Sequence, residues 1–212
     1  MRNGNGIQRA DFAAIAGWVR MGSSVLDLGC GDGSLLKYLH DSRRVSGYGV
    51  EIDDGKVLAC VKNGVNVIQS DLEQELSEFA DHSFDYVILS QTLQAVRNSE
   101  RIIQEMLRVG RQGIVTFPNF GYWKNRLQVA GGRMPISDNL PYQWHETPNI
   151  HMCTIADFET FCASRGVKIL ERKVLTDDAP VTWWPNFFGA LAVYHFGNSD
   201  LTANPAPERT TA

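Results

Sequence analysis

The sequence predicts an α/β fold built on a seven-stranded, mostly parallel sheet with one antiparallel strand. Three observations carry this expectation. Short apolar runs bounded by Gly, Asp and Asn alternate with helical patterns along the chain, as parallel strands joined by crossover helices require. The first such run, Val25-Leu26-Asp27-Leu28, leads directly into a glycine-rich turn, Gly29-Cys30-Gly31-Asp32-Gly33, and a helix that begins near Ser34. The last two runs have no helical segment between them, so their pairing should be antiparallel.

In chain order, a short helix over Ala10–Val19 opens the fold. Strands are expected at Ser24–Leu28, Tyr48–Ile52, Asn66–Gln69, Asp85–Ser90, Gly113–Phe117, Lys168–Leu175 and Ala190–Phe196. Between them fall helices near Ser34–His40, Asp54–Lys62, Glu73–Phe79, Arg101–Val109 and Ile155–Ser164. A chain of 212 residues buries one sizeable core, since domains commonly run to about 100–200 residues. Residues 1–197 are therefore read as one domain. The stretch from Asn198 to Ala212 is rich in Thr, Ala and Pro, with almost no large apolar residue, and reads as a frayed tail.

Composition excludes more than it identifies. The hydrophobic fraction of 43% and the charged fraction of 21% are those of an ordinary globular chain. A net charge of -4 and a pI near 5.7 argue against a grip on nucleic acid, which needs clustered Lys and Arg. Apolar runs fall short of the roughly 18 residues of a membrane span. Met1 to Gly6 are polar and lack the apolar core of an export signal. Cys30, Cys60, Cys153 and Cys162 are scattered and form no CxxC pair, which fits the cytoplasm.

One connection is too long to be a simple link. Pro118 to Thr154 carries Phe120, Tyr122, Trp123, Tyr142, Trp144, His145 and His151, an aromatic content that argues for order. It leaves the C-terminal end of the fifth strand, the edge where open α/β sheets bind ligands. Residues 118–154 are expected to form a cap or a docking surface.

The glycine turn is the strongest local signal. Glycines allow left-handed conformations and close approach of the backbone to a ligand, and amide groups at the helix start can face it. Glu51, at the end of the second strand, lies about 20 residues beyond Gly29, where such folds grip ribose hydroxyls. The Gly-x-Gly-x-Gly spacing, with Asp27 two residues before Gly29, departs from the dinucleotide fingerprint. A carboxylate at Asp27 would repel a pyrophosphate and suits the amino group of a methionine moiety. S-adenosylmethionine, or its product S-adenosylhomocysteine, is the expected cofactor. The arrangement resembles the Rossmann-like fold of class I methyltransferases. That resemblance places further contacts at Asp71 and Leu72 after the third strand and at Ser90 and Gln91 after the fourth, with Cys30, Gly31, Gly33 and Ile52 beside the turn and the ribose position. Asp71 and Gln91 would serve equally as loop residues capping helices.

Several phrases point to one family: Gly49-Val50-Glu51-Ile52-Asp53, Gln69-Ser70-Asp71-Leu72-Glu73, and Phe84-Asp85-Tyr86-Val87-Ile88-Leu89-Ser90-Gln91-Thr92-Leu93-Gln94. Phe117-Pro118-Asn119-Phe120-Gly121-Tyr122-Trp123, Gly132-Arg133-Met134-Pro135 and Thr147-Pro148-Asn149-Ile150-His151 add to them. From about Val25 to Phe161 the chain resembles the methionine biosynthesis protein MetW family. The resemblance implies a bacterial cytoplasmic protein that works with homoserine O-acyltransferase, the enzyme that transfers an acetyl or succinyl group to homoserine. It implies partnership more than catalysis, with no nucleic acid and no membrane involved.

Methyl transfer would need an acceptor held in line with the methyl and often a base. The candidates from the cap are Asn119, Tyr122, His145 and His151, although packing of the long connection explains them as well. His145, His151 and Cys153 lack the paired spacing of a zinc site, so no metal is expected. Trp183-Trp184-Pro185-Asn186-Phe187-Phe188 is a second apolar cluster, either core at the sheet edge or a patch for a partner. Two functions remain: a cofactor-binding partner of the acyltransferase, and a small-molecule methyltransferase whose cap closes over its acceptor.

Overall fold

A computed structural model describes residues 9–72 and 76–198. Helix α1 spans Ala10–Ala16, and β1 (Ser24–Leu28), α2 (Ser34–Arg43), β2 (Ser46–Glu51), α3 (Asp54–Lys62) and β3 (Val67–Gln69) follow in strict alternation. Next come β4 (Phe84–Ser90), α4 (Ser99–Val109), β5 (Gly110–Pro118), α5 (Trp123–Ala130) and α6 (Ile155–Ser164). The chain closes with β6 (Val167–Thr176), β7 (Ala179–Pro180), α7 (Pro185–Phe188) and β8 (Leu191–Asn198).

The described strands form one sheet in the order β3-β2-β1-β4-β5-β8-β6-β7. From β3 through β5 every pairing is parallel, and β8 then runs antiparallel to both β5 and β6. Sheet order reverses direction between β1 and β4, which makes the loops after these strands the switch point where such sheets bind ligands. The mostly parallel α/β sheet is as expected, with one strand more. The extra strand, β7, folds back on β6 through Asp177 and Asp178, both at positive φ (50° and 63°). That two-residue turn suits the strand twist, but an Asp-Asp pair signals it less clearly than Asn-Gly would.

Period-two alternation sorts the strands onto two cores. Leu26, Leu28, Val87, Leu89, Val115 and Phe117 face α4 and α6, whereas Val25, Tyr86, Ile88 and Ile114 face α1 and α2. Both faces are therefore covered, as a parallel sheet requires. Three helices begin on side chains that accept an orphan amide: Asp53 from Lys56, Asn98 from Arg101 and Thr154 from Asp157. Of the helix expected over Glu73–Phe79, residues 73–75 lie outside the described residues and Leu76–Glu78 forms a 3-10 turn. Of the expected tail, Asn198 is the last residue of β8 and 199–212 lie outside the described residues. No helix among the described residues is long and apolar enough to cross a membrane.

The connection over 118–154 begins with a helix that the sequence reading did not separate, α5. Asn119 anchors it. Fully buried, it donates from Nδ2 to the carbonyls of Asn186 (3.1 Å) and Gly189 (2.7 Å) and accepts at Oδ1 from the amides of Gly121 (3.0 Å) and Ile155 (3.2 Å). One amide thus ties the end of β5, the start of α6 and the link before β8. Removing one partner strands a buried group at a cost of about 1–3 kcal/mol. Asn119→Ala is expected to lower the unfolding free energy by about 3 kcal/mol or more in urea titration; a loss below about 1 kcal/mol would show that the segments hold together without it.

Candidate functional site

Parallel strands deliver the ends of β1, β2, β4 and β5 to one edge of the sheet, and the site is built there. Gly29, Gly31 and Gly33 all take positive φ (67°, 60° and 77°). At Gly29 the need is double, because a Cβ would lie 2.8 Å from the Thr92 hydroxyl as well as in a left-handed backbone. The turn is clamped to the end of β2, with the Gly29 and Cys30 amides donating to Val50 O at 2.8 and 3.1 Å. Glu51 extends the clamp. Its carboxylate accepts from the amides of Gly31 (2.9 Å), Ile52 (3.0 Å) and Asp53 (3.1 Å), with Lys56 Nζ at 3.9 Å. Most of the turn's amides are thereby bonded inside the protein.

Asp27 lies beneath this turn, 1% exposed, and its Oδ1 has no hydrogen-bond partner within the protein. Burial, then repulsion from Glu51, pushes its carboxyl up from the usual 3.8 to about 8. In the ligand-free protein it is therefore largely neutral at pH 7. Cys30 turns inward, its Sγ 3.7 Å from that of Cys60, and burial raises both thiols. These cysteines read as packing groups rather than nucleophiles.

Above the turn lies a cavity of about 560 Å³, within the range of small-molecule sites. Of the residues singled out in the sequence, Gly29, Glu51, Ile52, Asp71, Leu72 and Gln91 line it. Asp27, Cys30, Gly31, Gly33 and Ser90 do not: the first four form or underlie the turn, and Ser90 Oγ pairs with Thr116 Oγ1 at 3.2 Å. Gln91 holds a left-handed conformation (φ 52°) without being a glycine, fixed by its amide to Thr116 Oγ1 at 2.9 Å. Such strain costs about 1–3 kcal/mol and gathers at ligand sites. The Gln91 side chain reaches back 3.3 Å to Asp11 of α1, a buried carboxylate that Arg9 also binds.

The cap supplies the remaining wall. Tyr142, Pro148 and Asn149 face the cavity, held by the amides of Ile150 and His151 on Gln94 O at 2.8 and 3.0 Å. Lys56, Thr92, Gln94 and these cap residues, along with Asp11 behind Gln91, escaped the sequence reading. No local spacing marks them, and only the sheet order brings them together. The four catalytic candidates stand outside the cavity lining. Asn119 is spent on four backbone groups, Tyr122 is buried against Trp123, and His145 is exposed beside Glu146 at 3.7 Å. His151 Nε2 lies 3.2 Å from Arg97 O.

The model of the family described as methionine biosynthesis protein MetW matches residues 9–196. The bifunctional methionine biosynthesis protein MetXA/MetW of Rhodopirellula baltica is 41% identical over 177 residues, which are 79% of this chain and 28% of that protein. The chain thus spans little more than a quarter of that relative's length. Among solved structures, an S-adenosylmethionine-dependent methyltransferase of Thermotoga maritima superposes with a TM-score of 0.65 at 17% identity, covering 90% of this chain and 88% of that one. A second, from Mesorhizobium loti, gives 0.64 at 15% identity, covering 88% and 97%. The [4+2]-cyclase SpnF gives 0.62 at 17% identity, covering 89% and 80%. At these identities the likeness is one of fold, and the cyclase makes plain that the fold serves more than one chemistry.

The raised Asp27 pKa fixes a sign for stability. The folded chain holds this proton more tightly than the unfolded chain, so the stability it contributes is full below about pH 4 and is lost as pH rises to about 8. The difference reaches on the order of several kcal/mol. Asp27→Asn is expected to flatten the pH dependence of the ligand-free protein over this window in chemical denaturation; parallel profiles for the two proteins would mean that Asp27 ionises freely.

Proposed function

The chain belongs to the family of the methionine biosynthesis protein MetW, and on that footing we propose that it binds S-adenosylmethionine or S-adenosylhomocysteine and acts as partner or activator of homoserine O-acyltransferase. The observation that carries the partner role is the Rhodopirellula baltica relative, in which a MetXA part and a MetW part share one chain. Fusion keeps two proteins at high effective concentration, which is of use when they work together. Residues 1–197 are taken as one ligand-binding domain of a cytoplasmic protein.

The donor set suits the ligand. An ammonium group is what an unpartnered buried carboxylate lacks, and Asp27 Oδ1 is one. Glu51 has lone pairs left for ribose hydroxyls beside its three amide partners, and exposed Ile52 offers an apolar surface to a base. Asp71, Leu72 and Gln91 complete the lining, with Tyr142, Pro148 and Asn149 excluding water from the cap side. When bound, S-adenosylmethionine would bring an activated methyl group. Small-molecule methylation is the second reading, favoured by the strained Gln91 and its Asp11 neighbour at the end of β4.

The test is the rate of homoserine O-acyltransferase from the same organism, with and without this protein and with and without S-adenosylmethionine. A several-fold change in rate on adding the protein is expected. No change and no complex would overturn the partner role and leave methylation, which labelled S-adenosylmethionine and candidate acceptors then examine. Glu51→Gln is expected to weaken S-adenosylhomocysteine binding by about tenfold or more, since a hydrogen bond to a charged group contributes about 1.5–3 kcal/mol. Equilibrium dialysis measures it, and an unaltered affinity would place the ribose elsewhere.

A further inference from the structure

The link between β7 and β8 displays aromatic rings that neither core uses. Trp183 and Trp184 are 69% and 64% exposed, and their rings stack on each other at 5.3 Å. Trp183 also stacks on Phe188 at 5.1 Å, so the rings are held in place while facing water. Trp184 takes a left-handed conformation (φ 43°), which the amides of Phe187 and Phe188 secure by donating to its carbonyl at 2.8 and 2.9 Å. A bulky residue rarely adopts this conformation.

Beside Trp184 a groove of about 510 Å³ opens between α5, α6 and β6. Arg126 lies on one side, its guanidinium carbon 5.6 Å from the centroid of Phe187 and its Nε donating to Gly121 O at 2.5 Å. Arg172 lies in the same groove, paired with Glu159, which also accepts from Tyr194 OH at 2.8 Å. The groove lining thus holds two arginines and one glutamate, which pairs with Arg172 and leaves the Arg126 charge uncompensated among the lining residues, in a chain whose net charge is -4. Tryptophan and arginine together are the residues that dominate binding energy in protein interfaces.

We propose that this shelf and groove form the docking surface for the acyltransferase, receiving a segment that carries a carboxylate beside an apolar side chain. The proposal rests on the partner reading above. Charge selects the occupant, because the groove is complementary to an acidic segment. A second copy of this chain would place arginine groove against arginine groove in a two-fold contact, which like charge opposes. The surface is also continuous with the cap: Arg126 sits on α5, and Asn119 binds the carbonyls of Asn186 and Gly189 on the aromatic link. Movement of the cap over the ligand cavity would therefore be felt at the groove.

Binding of the full-length chain to the purified acyltransferase of the same organism tests this by surface plasmon resonance. Trp183→Ala and Arg126→Glu are each expected to weaken binding by about tenfold or more, with far-ultraviolet circular dichroism and S-adenosylhomocysteine affinity unchanged. Trp144→Ala, on the outer face of the cap, is expected to bind like the unaltered protein. If the unaltered protein binds and the two groove variants bind equally well, the surface proposal fails while the partner reading stands. Loss confined to Trp144→Ala would move the interface to the cap, and loss of self-association alone in Trp183→Ala would give the surface to a second copy. Either result overturns the proposal. No binding by the unaltered protein would overturn the partner reading and the surface with it.

Discussion

Asp27 sets the terms for everything around it. A carboxylate at the C-terminal end of β1 is carried by the alternation of the strand to the face covered by α1 and α2, where burial leaves one oxygen without a partner and keeps the group protonated near neutrality. Glu51, close enough to add repulsion, accepts from three backbone amides. The glycine turn depends on both. It is anchored to Glu51 through the Gly31 amide, so any group that enters the cavity meets a turn already shaped, with the unpartnered Asp27 carboxyl buried outside the lining. On the proposed reading the protein bears the desolvation of Asp27 beforehand, and a cationic group on the ligand would relieve it.

A second constraint holds the periphery. The cap, α6 and the aromatic link come from distant parts of the chain, yet all converge on the Asn119 side chain and its four backbone partners. Because Asn119 follows β5 directly, the sheet edge that frames the cavity and the surface that carries Trp183 and Trp184 share a single anchor. Such an arrangement offers a short physical route between the cavity at the sheet edge and the exposed aromatic link. It requires only that the cap have two positions that the ligand distinguishes.

Much of the fold was legible because strands and helices announce themselves locally. The seven expected strands, the parallel order and the turn at Gly29 all rest on periodicities and on glycine placement within a few residues. What escaped was non-local or atypical. The β6–β7 hairpin turns on Asp177 and Asp178, which take positive φ without the glycine that usually marks such a turn. Helix α5 was hidden inside a connection notable mainly for its aromatics. Of the residues around the cavity, Gly29 and Glu51 carry a spacing signal in the sequence, whereas Tyr142, Pro148 and Asn149 reach it through the seating of the cap on Gln94. For Asn119 the sequence left chemistry and packing open, and its use as a clamp depends on carbonyls some seventy residues away.

On the proposed reading Asp27 is neutral in the free protein and becomes charged against the ligand's ammonium group. Proton release on binding reports this directly. Calorimetric titration of S-adenosylhomocysteine into the protein at pH 7, in two buffers of different ionisation enthalpy, counts the protons exchanged. Release of about one proton per ligand is expected, abolished in Asp27→Asn. Binding with no proton release in the unaltered protein would contradict it, since Asp27 would then already be ionised or would have no part in holding the ligand.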